Sequence, residues 1–139
     1  SLLNEDKFIT DDGKQIKSAG IFVWKKDEEG NKYFYSINHL MKDTQEYVNC
    51  EPGGKRDSSD ESPEFTAKRE FEEESGITFP FSFEDMNKIY IPLAKYLLFV
   101  KEVSSSFEFP KKSEGCFVKL DKDIAIHPRS KDAIMNLIN

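Results

Sequence analysis

GGKRDSSDESPEFTAKREFEEESGI, residues 53–77, is the stretch that decides how this chain folds. A glycine pair leads into a polar loop. Ser62 stands where a helix N-cap belongs, Pro63 suits the first helical position, and Gly76 suits the residue just past the end. The spacing predicts a helix of about 13 residues between these signals. Glu70, Glu72, Glu73 and Glu74 crowd its last two turns, against the negative end of the helix dipole. Glu70 and Glu74 also form a like-charge pair at i,i+4. At about 100° per residue, Glu70, Glu73 and Glu74 share one face and Glu72 leaves it. Two accounts remain open from charge alone. One is a solvated acidic face, the usual fate of a charge run. The other is a seat for a hard cation such as Mg²⁺ or Mn²⁺, which favours oxygen ligands. Local helix rules are broken most often where function demands it.

The pattern as a whole adds to this. Glu61, seven residues, Arg69-Glu70-Phe71, one residue, Glu73-Glu74, one residue, then Gly76-Ile77 resembles the Nudix box. From Glu61 onward every typed position agrees. Upstream, six residues rather than the family's five separate Gly54 from Glu61, which reads as a one-residue insertion in loop 55–60. The resemblance implies an α/β/α sandwich built on a mixed β-sheet. It implies a metal-dependent pyrophosphohydrolase in which water attacks phosphorus of a nucleoside diphosphate linked to another group. Nucleoside triphosphates, nucleotide sugars, dinucleoside polyphosphates and RNA caps all fall in that class. The implied ligands of Mg²⁺ or Mn²⁺ are the Gly53 carbonyl, Glu70, Glu73 and Glu74. Glu70 is either a ligand or the group that receives the water's proton. Arg69 and Glu61 are implied to brace the carboxylates, and Gly54 and Gly76 to shape the motif. Family members recruit a further acid from outside the box. Glu114 is the first candidate here, Glu108 the second and Glu102 the third. Lys55 and Arg56 flank the motif as candidate contacts to substrate phosphate. A nucleotide-sensing module on the same fold, without turnover, is the alternative, and an unrelated acidic interaction domain is another.

Composition sets outer bounds. A chain of 139 residues points to one domain, 1–139, with 12 Phe, 5 Tyr and 1 Trp to fill a core. The polar segment 1–15, with a turn signal at Asp11-Asp12-Gly13, reads as peripheral. Net charge is −6 and pI about 5.0, which argues against broad binding to nucleic acid or an anionic membrane. The partner that the resemblance implies is a small nucleotide, with an RNA cap the one nucleic-acid exception. Cys50 and Cys116 make no disulfide framework or metal spacing and read as free core thiols. No apolar run reaches bilayer length and no signal peptide is visible, so a reducing cytoplasm is the expectation.

Around the box, Ile16 to Lys25 and Tyr33 to Asn38 read as a hairpin across the turn at Gly30-Asn31. Tyr47 to Cys50 reads as a short strand delivering Glu51-Pro52-Gly53-Gly54. Ile89 to Ile91, Leu93 to Val103 and Cys116 to Leu120 are further strands, and Ala133, Ile134, Leu137 and Ile138 follow helical spacing. Phe79, Pro80, Phe81 and Phe83 read as a packing loop, and Phe107 to Gly115 as a mobile, polar one. His39 and His127 read as a solvated and a structural histidine. Trp24, Tyr33 and Tyr35 suit either sheet packing or a stacking wall.

Overall fold

A run of alternating strands needs a partner for each face, and here each face finds a helix. The computed structural model describes residues 4–139, apart from the side chain of Ile138. Residues 1–3 of the segment expected to be peripheral lie outside that description. The strands are β1 (Ser18–Lys26), β2 (Lys32–Leu40), β3 (Tyr47–Cys50), β4 (Gly53–Lys55), β5 (Asn87–Ile91), β6 (Tyr96–Glu102) and β7 (Cys116–Lys119). The helices are α1 (Pro63–Ser75) and α2 (Lys131–Ile138), with single 3₁₀ turns at Glu5–Lys7, Phe83–Asp85 and Pro92–Ala94.

The sheet runs β3-β2-β1-β6-β5, with β4 added to β1 and β7 added to β2. β1 and β6 are parallel and the other ladders antiparallel, so the sheet is mixed. One edge of β1 divides between two partners. Ser18 to Gly20 pair with β4, and Trp24 to Lys26 pair with β2. Between them the Ile21 amide donates to the Pro52 carbonyl at 2.9 Å. That division turns the glycine pair away from the hairpin and under α1.

Alternation along β1 and β6 sorts the core into two layers. Ile21, Val23, Leu97 and Phe99 pack with Ala67 and Phe71 of α1. Phe22, Tyr96, Leu98 and Val100 pack on the other face with Ile126 and with Ile134 of α2, Ile126 lying ahead of that helix. This is the α/β/α arrangement expected from the sequence. α1 is capped as its ends required: Ser62 Oγ accepts from the Phe65 amide at 3.2 Å, and Gly76 takes the left-handed conformation at φ 74°.

Three expectations need correction. The segment 1–15 is not merely peripheral: Phe8 is 1% exposed in the α1-side core, and Ile9 bridges Gln15. Loop 107–115 is not a free polar loop, because Phe109 is buried with its ring 4.4 Å from Tyr35. Its aromatic residues outweigh its lysines and serines. Cys116 is exposed at the start of β7, whereas Cys50 is buried as expected. Tyr35 itself is buried against Phe71, Phe109 and Phe117, which assigns it to packing. Among the described residues no helix is long and apolar enough to cross a membrane.

Phe8→Ala tests the anchoring of the amino-terminal segment. Removal of a fully buried aromatic ring is expected to cost about 3–5 kcal/mol in urea unfolding. A loss below about 0.5 kcal/mol, the scale of a surface change, would return the segment to the periphery.

Candidate active site

The box carboxylates lie where α1 crosses β4. Glu70 rests directly on Gly54: a Cβ at that glycine would stand 2.6 Å from the Glu70 carboxyl carbon. The Gly53 amide donates to Glu74 Oε2 at 2.9 Å. A Cβ on Gly53 or on its partner Gly20 would collide with the Tyr96 hydroxyl, so close approach of backbones accounts for these glycines. Glu73 behaves differently. Its side chain is 59% exposed and meets Arg69 at 3.3 Å. Glu72 leaves the face and accepts from the Phe79 amide at 2.9 Å.

Burial raises the Glu70 carboxyl above the ordinary value, against the pull of Arg69. Burial also pushes Glu74 up to about 7, against the Gly53 amide and with help from the Glu70 charge. Two acids are thus held in a medium that disfavours both charges. Their oxygen-only chemistry fits a hard divalent cation. As they stand, no group of three His, Cys, Asp or Glu among the described residues is arranged to hold a metal ion. Glu73 is the carboxylate whose bond to Arg69 is long and solvated, hence cheap to release.

The resemblance implies that Arg69 and Glu61 brace the carboxylates; here Arg69 meets Glu70 and Glu73 and is itself held by Asp60. Its Nε and Nη2 form a fork on Asp60, at 3.0 and 2.9 Å, while Nη1 reaches Glu70 at 3.0 Å and Nη2 the Lys55 carbonyl at 3.1 Å. Asp60 is fully buried and also accepts from Thr66 Oγ1 at 2.7 Å and from the Asp57 amide at 2.8 Å. Glu61 is exposed on the loop before the helix. Five residues separate Asp60 from Gly54, against six for Glu61. The sequence signal was present, hidden by a shorter carboxylate standing next to a longer one. Burial alone would raise the Asp60 carboxyl, but the Arg69 fork, the Asp57 amide and the Thr66 hydroxyl outweigh it and hold it below the usual range.

The remaining candidates separate. Lys55 is exposed at the end of β4, beside the carboxylates. Arg56 is turned away: its side chain is 5% exposed, ion-paired to Glu5 at 2.8 Å and laid over the Phe8 ring at 3.5 Å. It ties the amino-terminal segment down, which removes it from the candidate phosphate contacts. Glu114 is exposed, and its amide donates to the Ser75 carbonyl at 2.9 Å, which fixes it at the tail of α1 just past Glu74. Glu108 instead pairs with Lys25 at 2.9 Å, over Phe117, and Glu102 sits opposite Trp24 at the far end of β6.

The structure also assembles groups that sequence reasoning passed over. Glu74 lines a cavity of about 230 Å³ with Ile37, Asn38, His39, Cys50, Glu51, Gly53 and Arg129. Glu51 is fully buried. It accepts from the Tyr96 hydroxyl at 2.6 Å, from Ser130 Oγ at 2.7 Å and from Arg129 Nη2 at 3.2 Å. The Arg129 guanidinium lies over the Tyr96 ring at 4.4 Å. Burial disfavours its charge, but the Glu51 and Glu74 carboxylates beside it favour that charge. Arg129 Nη2 also reaches Cys50 Sγ and the Glu51 carbonyl, and Nη1 stands 3.5 Å from the Gly53 carbonyl expected to ligate metal. His39 is exposed at the cavity rim, edge-on to His127 at 4.9 Å. The one sequence hint was an acid, Glu51, set between Cys50 and Pro52 just past the strand Tyr47 to Cys50.

No family model matches this sequence, and no curated protein does either. Solved structures do. A Nudix hydrolase from M. smegmatis, RenU, superposes with a TM-score of 0.59 at 18% identity, over 94% of this chain and 93% of that one. The NUDIX domain of Shewanella oneidensis NrtR, solved with ADP ribose, gives a TM-score of 0.56 at 12% identity, over 88% of this chain and 86% of that one. The chain shares their fold.

Asp60→Asn is expected to cost about 3 kcal/mol or more at neutral pH, because it leaves Arg69 without its buried partner. A carboxyl held low when folded stabilises above its unfolded pKa and loses that contribution as pH falls through the folded value. The deficit of the variant should therefore shrink below the model-peptide value of 3.8. Glu61→Gln should change stability by less than about 0.5 kcal/mol. Urea unfolding of both variants from pH 2.5 to 7 checks the assignment.

Proposed function

We propose that this protein is a metal-dependent Nudix hydrolase that cleaves the phosphoric anhydride of a nucleoside diphosphate linked to another group. The observation that carries this is the seating of Glu70 and Glu74 on Gly54 and Gly53, beside a cavity lined by Glu74 and Arg129. Glu70, Glu74 and, once released from Arg69, Glu73 would hold Mg²⁺ or Mn²⁺, with the Gly53 carbonyl as a further donor. Bound there, the ion would offset the charge of acids and diphosphate, polarise a phosphoryl oxygen and acidify water.

The chain's own groups have separable tasks. Arg69, fixed by Asp60, orients Glu70 and discourages its rotation away from β4. The Gly53 amide orients Glu74. Glu70, whose proton affinity is raised by burial, is suited to take a proton from attacking water if it is not itself a ligand. Glu114 is placed to supply the additional acid, since its backbone is pinned to the end of α1. Lys55 is available to phosphate oxygens from the solvent side. A nucleotide-sensing module remains the alternative, and the cytoplasm the compartment in which such nucleotides would be met.

Glu74→Gln is expected to lower Mg²⁺-dependent release of phosphate products more than about 100-fold, since even partners of metal ligands cost 10–100-fold when removed. Its thermal stability should be retained or improved, because a buried charge is removed. The measurement is product identity by chromatography across nucleoside triphosphates, nucleotide sugars and dinucleoside polyphosphates. Full turnover by the variant would overturn the assignment. Binding without turnover by the wild type across the panel would favour the sensing module.

A further inference from the structure

The cavity beside Glu74 has a wall that the box does not supply, and Arg129 is the cation on it. Arg129, His39 and Glu51 line it together with Glu74. The Glu51 carboxylate is consumed from several directions: Tyr96 and Arg129 occupy Oε2, and Ser130 occupies Oε1. Arg129 spends mainly Nη2 on this corner, on Cys50, the Glu51 carbonyl and Glu51 Oε2. Nη1 has one long contact, 3.5 Å to the Gly53 carbonyl, and Nε has no hydrogen-bond partner among the described residues. A guanidinium carries five donors and never gives up its proton in a protein. Here it lies over the Tyr96 ring at 4.4 Å and is clamped by Nη2, with Nε buried and donor capacity left on Nη1 where Arg129 lines the cavity. An arginine needed only to pin the β3–β4 corner would gain nothing from lining that cavity.

We infer that Arg129 binds a phosphate oxygen of the substrate in the cavity it shares with Glu74, and that Glu51 and Tyr96 hold its guanidinium in place for that contact. The substrate class rests on the hydrolase proposed above. The preorganised, planar fork suits phosphate better than a lysine ammonium would, and its fixed position spares the entropy of ordering a long side chain. His39 at the rim and the Asn38 amide border the same space and would meet the remainder of the ligand.

Inorganic pyrophosphate, with Mg²⁺ present, is the probe. In calorimetry Arg129→Gln is expected to weaken its binding about 10- to 100-fold, the worth of a charge-assisted hydrogen bond. In turnover Arg129→Lys should raise KM by about tenfold with kcat within about threefold, a split that a merely structural role would not produce. The wild-type protein gives an independent reading should the variants fold poorly: the Arg129 Nε–Hε resonance should shift on titration with pyrophosphate. Unaltered pyrophosphate affinity and KM in folded variants, or an unmoved Arg129 resonance at saturating pyrophosphate, would overturn the inference. The two proposals fail separately. Absence of turnover across the substrate panel sinks the hydrolase while the calorimetry still decides Arg129.

Discussion

Two glutamates pressed against two glycines constrain everything else in this molecule. Glu70 occupies the volume that a side chain on residue 54 would take, and Glu74 accepts the amide of residue 53. For that contact β4 must lie directly under the last turns of α1. β4 can do so only because β1 gives it three residues of ladder before passing to β2. The same requirement reaches Gly20, opposite Gly53, where the Tyr96 hydroxyl leaves no room for a Cβ. Glycine's entropic cost in a strand is accepted at Gly54 to admit the Glu70 carboxylate, and at Gly20 and Gly53 to admit the Tyr96 hydroxyl and a close backbone approach.

Two ion pairs then hold this contact from opposite sides. On the loop side, Asp60 and Arg69 make a two-pronged pair, reinforced by Thr66 and the Asp57 amide. On the α2 side, Glu51 and Arg129 make a pair completed by Tyr96 and Ser130. A buried pair gains little over an apolar replacement, yet breaking one partner away costs several kcal/mol. Such pairs are therefore better understood as fixing geometry than as adding stability. The first sets the direction of Glu70 through Arg69. The second ties the segment before α2 to the Glu51–Gly53 turn, so the last helix of the chain contributes to a site begun in residues 53–77.

Much of this was legible in the sequence, for reasons tied to local signals. Ser62, Pro63 and Gly76 bound α1 because caps and helix-starting proline act within a few residues. Helical period groups Glu70, Glu73 and Glu74 on one face, but only Glu70 and Glu74 are seated on β4, while Glu73 stays exposed on Arg69. What escaped depends on contacts distant in sequence. Glu51 and Arg129 are separated by most of the chain, and no periodicity links them. Asp60 was overlooked because Glu61 satisfied the motif's letter, whereas the shorter side chain fits the closed pocket that Arg69 and Thr66 form. Arg56 was given to the substrate because it flanks the box, but Phe8 and Glu5 bring the amino-terminal segment back to claim it. The aromatic residues of loop 107–115 were outvoted by its polar ones on paper and dominate in space, since Phe109 finds Tyr35, Phe71 and Phe117.

The charge balance of the site carries the last step. Glu51 is answered in full by Arg129, Tyr96 and Ser130, and Glu70 in part by Arg69. Among the described residues Glu74 has a backbone amide and no side-chain cation bonded to it, and burial raises it against that amide and the more distant Arg129 charge. An incoming diphosphate would add negative charge to a place already short of positive charge. In a medium of low dielectric that repulsion is severe, so binding requires a cation that arrives with the ligand or ahead of it. The fold does not cure the deficit with a lysine between the glutamates, although a chain with 20 lysines and arginines had the means. A deficit kept in place by two ion pairs and three glycines is what a site that works through a divalent ion would need.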